Sequence, residues 1–228
     1  MITIPTGELV GLLSDVIPMA STDGDTPTIN AVHLHWDGEM LHAKATDRQH
    51  IGWSMWHPDD APVQDKQGDL LNQWGGSDES WSATICLPDA KHLVKTYKLG
   101  GKQWFIPLTV EHTSAGVRIV RSRDTGHSAI STVVRDTFEE FPKLDKALDE
   151  SRATRNVAAL AFNAKSLAVF AKVRPRGDME MRFGGPTGLV HIRIGDRFRG
   201  GIQPVYNERL GEAKVDNAAA KTKEEAAP

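Results

Sequence analysis

The stretch ICLPDAKHLVKTYKL, residues 85–99, decides how this chain is organised. It opens on a short apolar strand, Ile85-Cys86-Leu87, and turns at Pro88. It then places Leu93, Val94 and Tyr97 at helical spacing. Apolar residues at three- and four-residue steps predict an amphipathic helix, here over 89–99. Asp89 suits its start, because a carboxylate accepts bonds from the orphan N–H groups of a first turn. The same form occurs twice more. Ile2-Thr3-Ile4-Pro5 leads into a helix over 8–19 with Leu9, Leu12, Leu13 and Val16 on one face. Leu160-Ala161-Phe162-Asn163 leads into one over 164–173 with Leu167, Val169 and Phe170, and Asn163 suits its start.

Each helix is followed by three strand-like runs: 31–36, 40–45 and 51–56, then 106–111, 116–121 and 128–134, then 179–183, 189–194 and 198–205. Turn residues separate them, among them Asp37-Gly38, Ser114-Ala115-Gly116, Asp124-Thr125-Gly126, Gly184-Gly185-Pro186 and Gly195-Asp196. The pattern is βαβββ three times. Short turns between successive strands imply antiparallel sheets, and one helix per unit implies helices gathered on one face, an α+β fold. Residues 57–82, rich in Asp, Gly, Gln and Ser, read as a long connector between units one and two. Residues 207–228 read as a polar, disordered tail.

Composition limits the function classes. The chain has 228 residues with 27 Lys+Arg against 30 Asp+Glu, a formal charge of −3, which excludes a uniformly basic nucleic-acid binder but not a local basic surface. The single Cys86 excludes an intrachain disulfide framework and a cysteine zinc cluster, and in its apolar strand it reads as a small buried residue. No apolar run reaches a membrane-spanning length, and the N-terminus lacks the pattern of a secretory signal. A soluble, cytoplasmic protein is expected.

The sequence resembles the DNA polymerase sliding clamps, and more closely the bacterial beta clamp. Four stretches carry the resemblance. Lys44-Ala45-Thr46-Asp47-Arg48-Gln49-His50-Ile51 is similar to the family's Ala-Thr-Asp-Gly-His-Arg-Leu. Phe138-Glu139-Glu140-Phe141-Pro142-Lys143-Leu144 is similar to the Phe-Pro segment that closes a clamp domain. Phe162-Asn163-Ala164-Lys165-Ser166-Leu167 resembles the start of the family's last helix. Arg199-Gly200-Gly201-Ile202-Gln203-Pro204-Val205 resembles its terminal strand, which ends Met-Pro-Met or Met-Pro-Val. The resemblance implies the DNA-clamp fold, with helices inside and sheets outside, and covers residues 1–206. On it, 1–150 is a complete clamp domain and 151–206 half of another. A full bacterial clamp has six such units per chain, this one three. The family's Gly-His-Arg is here Arg48-Gln49-His50, and its Met before Pro is Gln203.

Such a protein performs no bond-making chemistry. The resemblance implies sequence-independent contact with duplex DNA, self-assembly, and a groove for short peptides of a DNA polymerase or other clamp-binding proteins. Lys91, Lys95 and Lys98 share one helix face, with Lys102 just beyond. Lys165, Lys172, Arg174 and Arg176 lie on or after the third helix. These cations suit phosphate contacts whose strength falls with salt; the plainer reading is a solvated helix face. Helix one, with Glu8 and Asp15, is not basic. The groove carried over from the family comprises Thr46, Arg48, Gln49, His50 and Ile51 with Ile202, Gln203, Pro204 and Val205; the plainer reading makes Ile51, Ile202 and Val205 core strand residues. A ring of twelve units would take four chains of three. Two other readings compete: a clamp relative that keeps the groove without encircling DNA, and a metal enzyme built on His33 and His35. No further ligand completes that pair, and no nucleophile elbow or phosphate-cradling loop occurs, so neither catalytic residues, metal nor cofactor are expected.

Overall fold

The computed structural model describes residues 1–61, 74–98, 104–121, 129–137, 140–149, 159–174, 177–183 and 188–205. The first unit runs β1 (Ile2–Pro5), α1 (Thr6–Val16), β2 (Ala31–Trp36), β3 (Leu41–Thr46) and β4 (His50–Trp56). A two-residue strand, β5 (Gly75–Gly76), lies in the connector. The second unit runs β6 (Trp81–Cys86), α2 (Leu87–Tyr97), β7 (Pro107–Thr113), β8 (Gly116–Arg121) and β9 (Ile130–Val134). The third runs α3 (Ala164–Leu167), β10 (Met179–Phe183), β11 (Val190–Ile194) and β12 (Phe198–Ile202), and the strand expected at 160–163 is reduced to a single bridge from Ala161 to Val205. The tail beyond 205 and residues 62–73 of the connector lie outside the described residues.

Two antiparallel sheets result, in the orders β5-β1-β7-β8-β9 and β10-β11-β12-β4-β3-β2-β6. Units one and two exchange their first strands. β1 pairs with β7 (Ile2 opposite Val110, Ile4 opposite Leu108), and β6 pairs with β2 (Ala83 opposite Leu34, Ile85 opposite Val32). Unit three joins through β12, which pairs with β4 and places Gly201 opposite Ile51. The seven-stranded sheet therefore runs unbroken from unit one into unit three.

Alternation assigns the two faces of that sheet. Val32, Leu34, Ala43, Ala45, Ile192, Phe198 and Ile202 point to the helix side and share one core with Leu9, Leu12, Leu13, Leu93 and Tyr97. On the other face, Phe141, Leu144 and Leu148 cover Ile51 in a small separate cluster that Trp53 and Leu189 flank. The third helix is shorter than its periodicity predicts. After one α-turn it tightens into a 3-10 turn over Phe170–Lys172. That geometry eclipses side chains three apart and lines up Phe170 and Val173, both buried. Asn163 caps it as expected, its side chain accepting from the Lys165 N–H at 2.9 Å.

Candidate DNA interface and partner groove

The α2 helix buries Leu87, Ala90, Leu93 and Tyr97, so the opposite face is turned to solvent. Lys91, Lys95 and Lys98 stand on that face and are exposed. Lys165 on α3 and Lys172 on the 3-10 turn are exposed as well. Lys102 and Arg176 lie outside the described residues.

Arg174 is placed differently from the sequence expectation. Its guanidinium turns inward onto Asp15, with Nη2 at 3.0 Å and Nε at 3.1 Å from Oδ2. Its backbone N–H donates to Asp15 Oδ1 at 2.9 Å, and its Nη1 reaches Glu8 Oε2 at 3.2 Å. Asp15 is fully buried and also accepts from Ser54 Oγ at 2.8 Å. A cation that neutralises a buried carboxylate is not available to a phosphate, so Arg174 leaves the group of candidate DNA contacts. The same pairing changes the reading of α1. Its two acids form no exposed anionic face: Asp15 is taken by Arg174, and Glu8 by Arg174 and by Arg197 at 3.6 Å. Gly11 makes this possible, because a Cβ there would run into the Arg174 guanidinium, as one at Gly7 would run into the Trp104 ring. Nothing in the spacing of residues 8–15 pointed to a partner 159 positions away.

The groove segments do come together. β12 lies beside β4, and the Gln203 N–H donates to the Gln49 carbonyl at 2.9 Å. Between β3 and β4 the chain makes a tight turn. Asp47 Oδ1 accepts from the Gln49 N–H at 2.9 Å and the His50 N–H at 2.6 Å, and Asp47 Oδ2 meets His50 Nδ1 at 2.8 Å. Arg48 has φ 76°, the left-handed conformation that favours glycine.

The two isoleucines cannot line one groove. Ile51 belongs to the small cluster under Phe141, and Ile202 to the main core on the opposite face of the sheet. Thr46 and His50 are buried too. Arg48, Gln49, Gln203 and Val205 are the solvent-facing members of the set, with Pro204 half-buried.

The His33 and His35 pair does not converge on a common ligand position. His33 Nδ1 lies 3.1 Å from Thr84 Oγ1 under the stacked ring of Phe141, and His35 Nδ1 lies 3.0 Å from the Trp81 carbonyl. Burial, then the neighbouring Lys44 and His35 charges, push the His33 pKa down to about 4. Among the described residues no three His, Cys, Asp or Glu side chains are grouped to hold a metal ion, and no helix is long and apolar enough to cross a membrane.

Exchanged βαβββ units with helices on one side of antiparallel sheets are the fold of the DNA polymerase sliding clamps, and solved structures bear this out. The beta subunit of DNA polymerase III from Thermotoga maritima matches with a TM-score of 0.66 at 14% identity, over 91% of this chain and 66% of that one. The sliding clamp from Bacillus subtilis matches at 0.63 and 14%, over 90% and 64%. A sliding clamp from Pseudomonas aeruginosa bound to griselimycin matches at 0.66 and 11%, over 90% and 65%. At these identities the likeness is one of fold. This chain spans about two thirds of the length of the structures it matches. No protein-family model and no curated protein matches the sequence.

Proposed function

We propose that this chain is a sliding-clamp-like replication protein. It assembles with copies of itself around duplex DNA and tethers a polymerase or other partner, and it catalyses no reaction. The observation that carries the reading is the set of exposed lysines Lys91, Lys95, Lys98, Lys165 and Lys172 on helical segments of a clamp fold. Mobile cations on a helix face hold phosphates without reading bases, as a protein that must slide requires. The partner surface is the rim of Arg48, Gln49, Gln203, Pro204 and Val205, polar at its edges with one exposed valine. On this reading 1–150 is a complete clamp domain and 151–206 half of one. Retention on DNA is the test. A topological clamp remains on closed circular plasmid through gel filtration at moderate salt and is lost once the plasmid is cut. Equal retention on both forms overturns encirclement.

A second reading is favoured by Arg174, a candidate DNA contact that Asp15 holds inward at 3.0 Å. A relative that keeps the partner rim without closing a ring would bind partner peptides and show no difference between circular and linear DNA.

A further inference from the structure

The repeat that builds units one and two is left half-complete in unit three. In unit one, the helix-side residues of the second strand, Val32, Leu34 and Trp36, are 0–1% exposed, because β6 closes the sheet edge. In unit two, Leu108 and Val110 are fully buried where β1 closes the edge of β7. The same positions in unit three are Met179, Met181 and Phe183 on β10, which pair with Ile194, Ile192 and Val190. Among the described residues no strand lies beyond β10, and Met179 is 47% exposed. Beside it opens a cleft of about 520 Å³ lined by Ala164, Leu167, Ala168, Ala171, Met179 and Ile194. In the complete domain the corresponding helices α1 and α2 pack against each other.

The first strand of unit three is also half-used. In unit one, β1 is paired on one side by β5, which follows β4, and on the other by unit two's β7. In unit two, the Thr137 N–H, just after β9, donates to the Thr84 carbonyl of β6, whose other side pairs with β2. In unit three, Ala161 bridges Val205, just after β12. This is the same own-side contact, and no described residue pairs with the other side. Leu160 and Phe162 are correspondingly half-buried, whereas Ile2 and Ile4 are fully buried.

We infer that unit three of one chain pairs with unit three of a second copy about a two-fold axis. Each copy lends its Leu160–Phe162 strand to the open edge of the other's β10. This rests on the self-assembly proposed above and names its interface. Among the described residues the occupant follows by elimination. An edge of this kind takes the first strand of a βαβββ unit. In a second copy β1 and β6 are already engaged, which leaves 160–162. The exposed edge of β9 is no substitute, because it corresponds to β4 and β12, the edges that pair with one another. The exchange covers two exposed edges and two apolar clefts at once, the outcome that unpaired edges and symmetric association both favour. The small side chains of Ala164, Ala168 and Ala171 leave room for the partner's helix.

The registers of β6 on β2 and β1 on β7 set the pairing. Phe162 falls opposite the second copy's Met179, and Ala161 opposite its Glu180, as Thr84 falls opposite His33. In a Cys86→Ser background, Ala161→Cys with Glu180→Cys under mild oxidation should give a covalent dimer of twice 25.0 kDa on a non-reducing gel. Separately, Met179→Asp should halve the mass seen by light scattering, with the circular dichroism unchanged. An assembly that stays the same size in Met179→Asp and yields no covalent dimer overturns the unit-three pairing, and the clamp reading survives if circular DNA still retains the protein. A wild-type monomer at about 10 μM overturns both.

Discussion

The tie between Arg174 and Asp15 should be a main determinant of how firmly unit three is held to unit one. Replacing Arg174 with Met keeps most of the volume over Gly11 and removes the charge. Asp15 would then keep Ser54 Oγ at 2.8 Å and the residue 174 backbone N–H at 2.9 Å, but lose its three guanidinium bonds at 3.0–3.3 Å. A fully buried carboxylate stripped of its counter-charge costs about 3–5 kcal/mol. The surviving donors place the expected loss near the lower end, about 3 kcal/mol. Asp15→Asn together with Arg174→Met removes the stranded charge, so the pair should cost clearly less than the sum of the single changes. Urea unfolding followed by fluorescence of the six tryptophans measures all three differences. A loss below about 1 kcal/mol for Arg174→Met, or additive single costs, would refute the assignment of a buried, charge-coupled pair.

Three more outcomes are expected. The folded-state pKa of His33, about 4, lies below the ordinary histidine value of 6.5. Its neutral form is favoured by folding, and stability is lost as pH falls from 6.5 toward 4. Linkage puts this loss at about 2 kcal/mol between pH 7.5 and 5; urea midpoints of the wild type and His33→Gln should diverge over that range, and parallel pH profiles would count against it. Charge reversal at Lys95 and Lys98 should weaken DNA binding and lower the slope of log K against log salt by roughly two, whereas an unchanged slope removes α2 from the interface. At the rim, Val205→Asp should weaken partner-peptide binding about tenfold or more and leave the unfolding midpoint in place, because the side chain is 46% exposed. Ile202→Asp should instead unfold the protein, since Ile202 is 1% exposed in the main core.

Much of the fold was legible in the sequence because its signals are local. The hairpin between β2 and β3 follows from Asp37-Gly38, where Gly38 takes φ 106° and Asp37 Oδ1 accepts two backbone N–H groups at 2.7–2.8 Å. The α1 and α2 helices follow from three- and four-residue apolar spacing, and unit three's helix start from Asn163. The exposure of Lys91, Lys95 and Lys98 followed the same way, since the face opposite Leu93 and Tyr97 has nowhere else to point. The length of the third helix did not follow. Its apolar spacing suits a longer helix, while the core takes Phe170 and Val173 through a 3-10 turn.

The sequence by itself determined the three βαβββ units, the turns that join their strands and the basic face of α2, all consequences of backbone preference and of the period at which apolar side chains recur. Tertiary structure decided what sequence separation hides. It chose which unit lends its first strand to which sheet, and it set Ile51 and Ile202 on opposite faces of one sheet although their strands are neighbours. It also turned Arg174 from a surface cation into the counter-charge of Asp15. Each of these depends on a contact between residues far apart in the chain, whose energy comes from burial and charge pairing that no local pattern records.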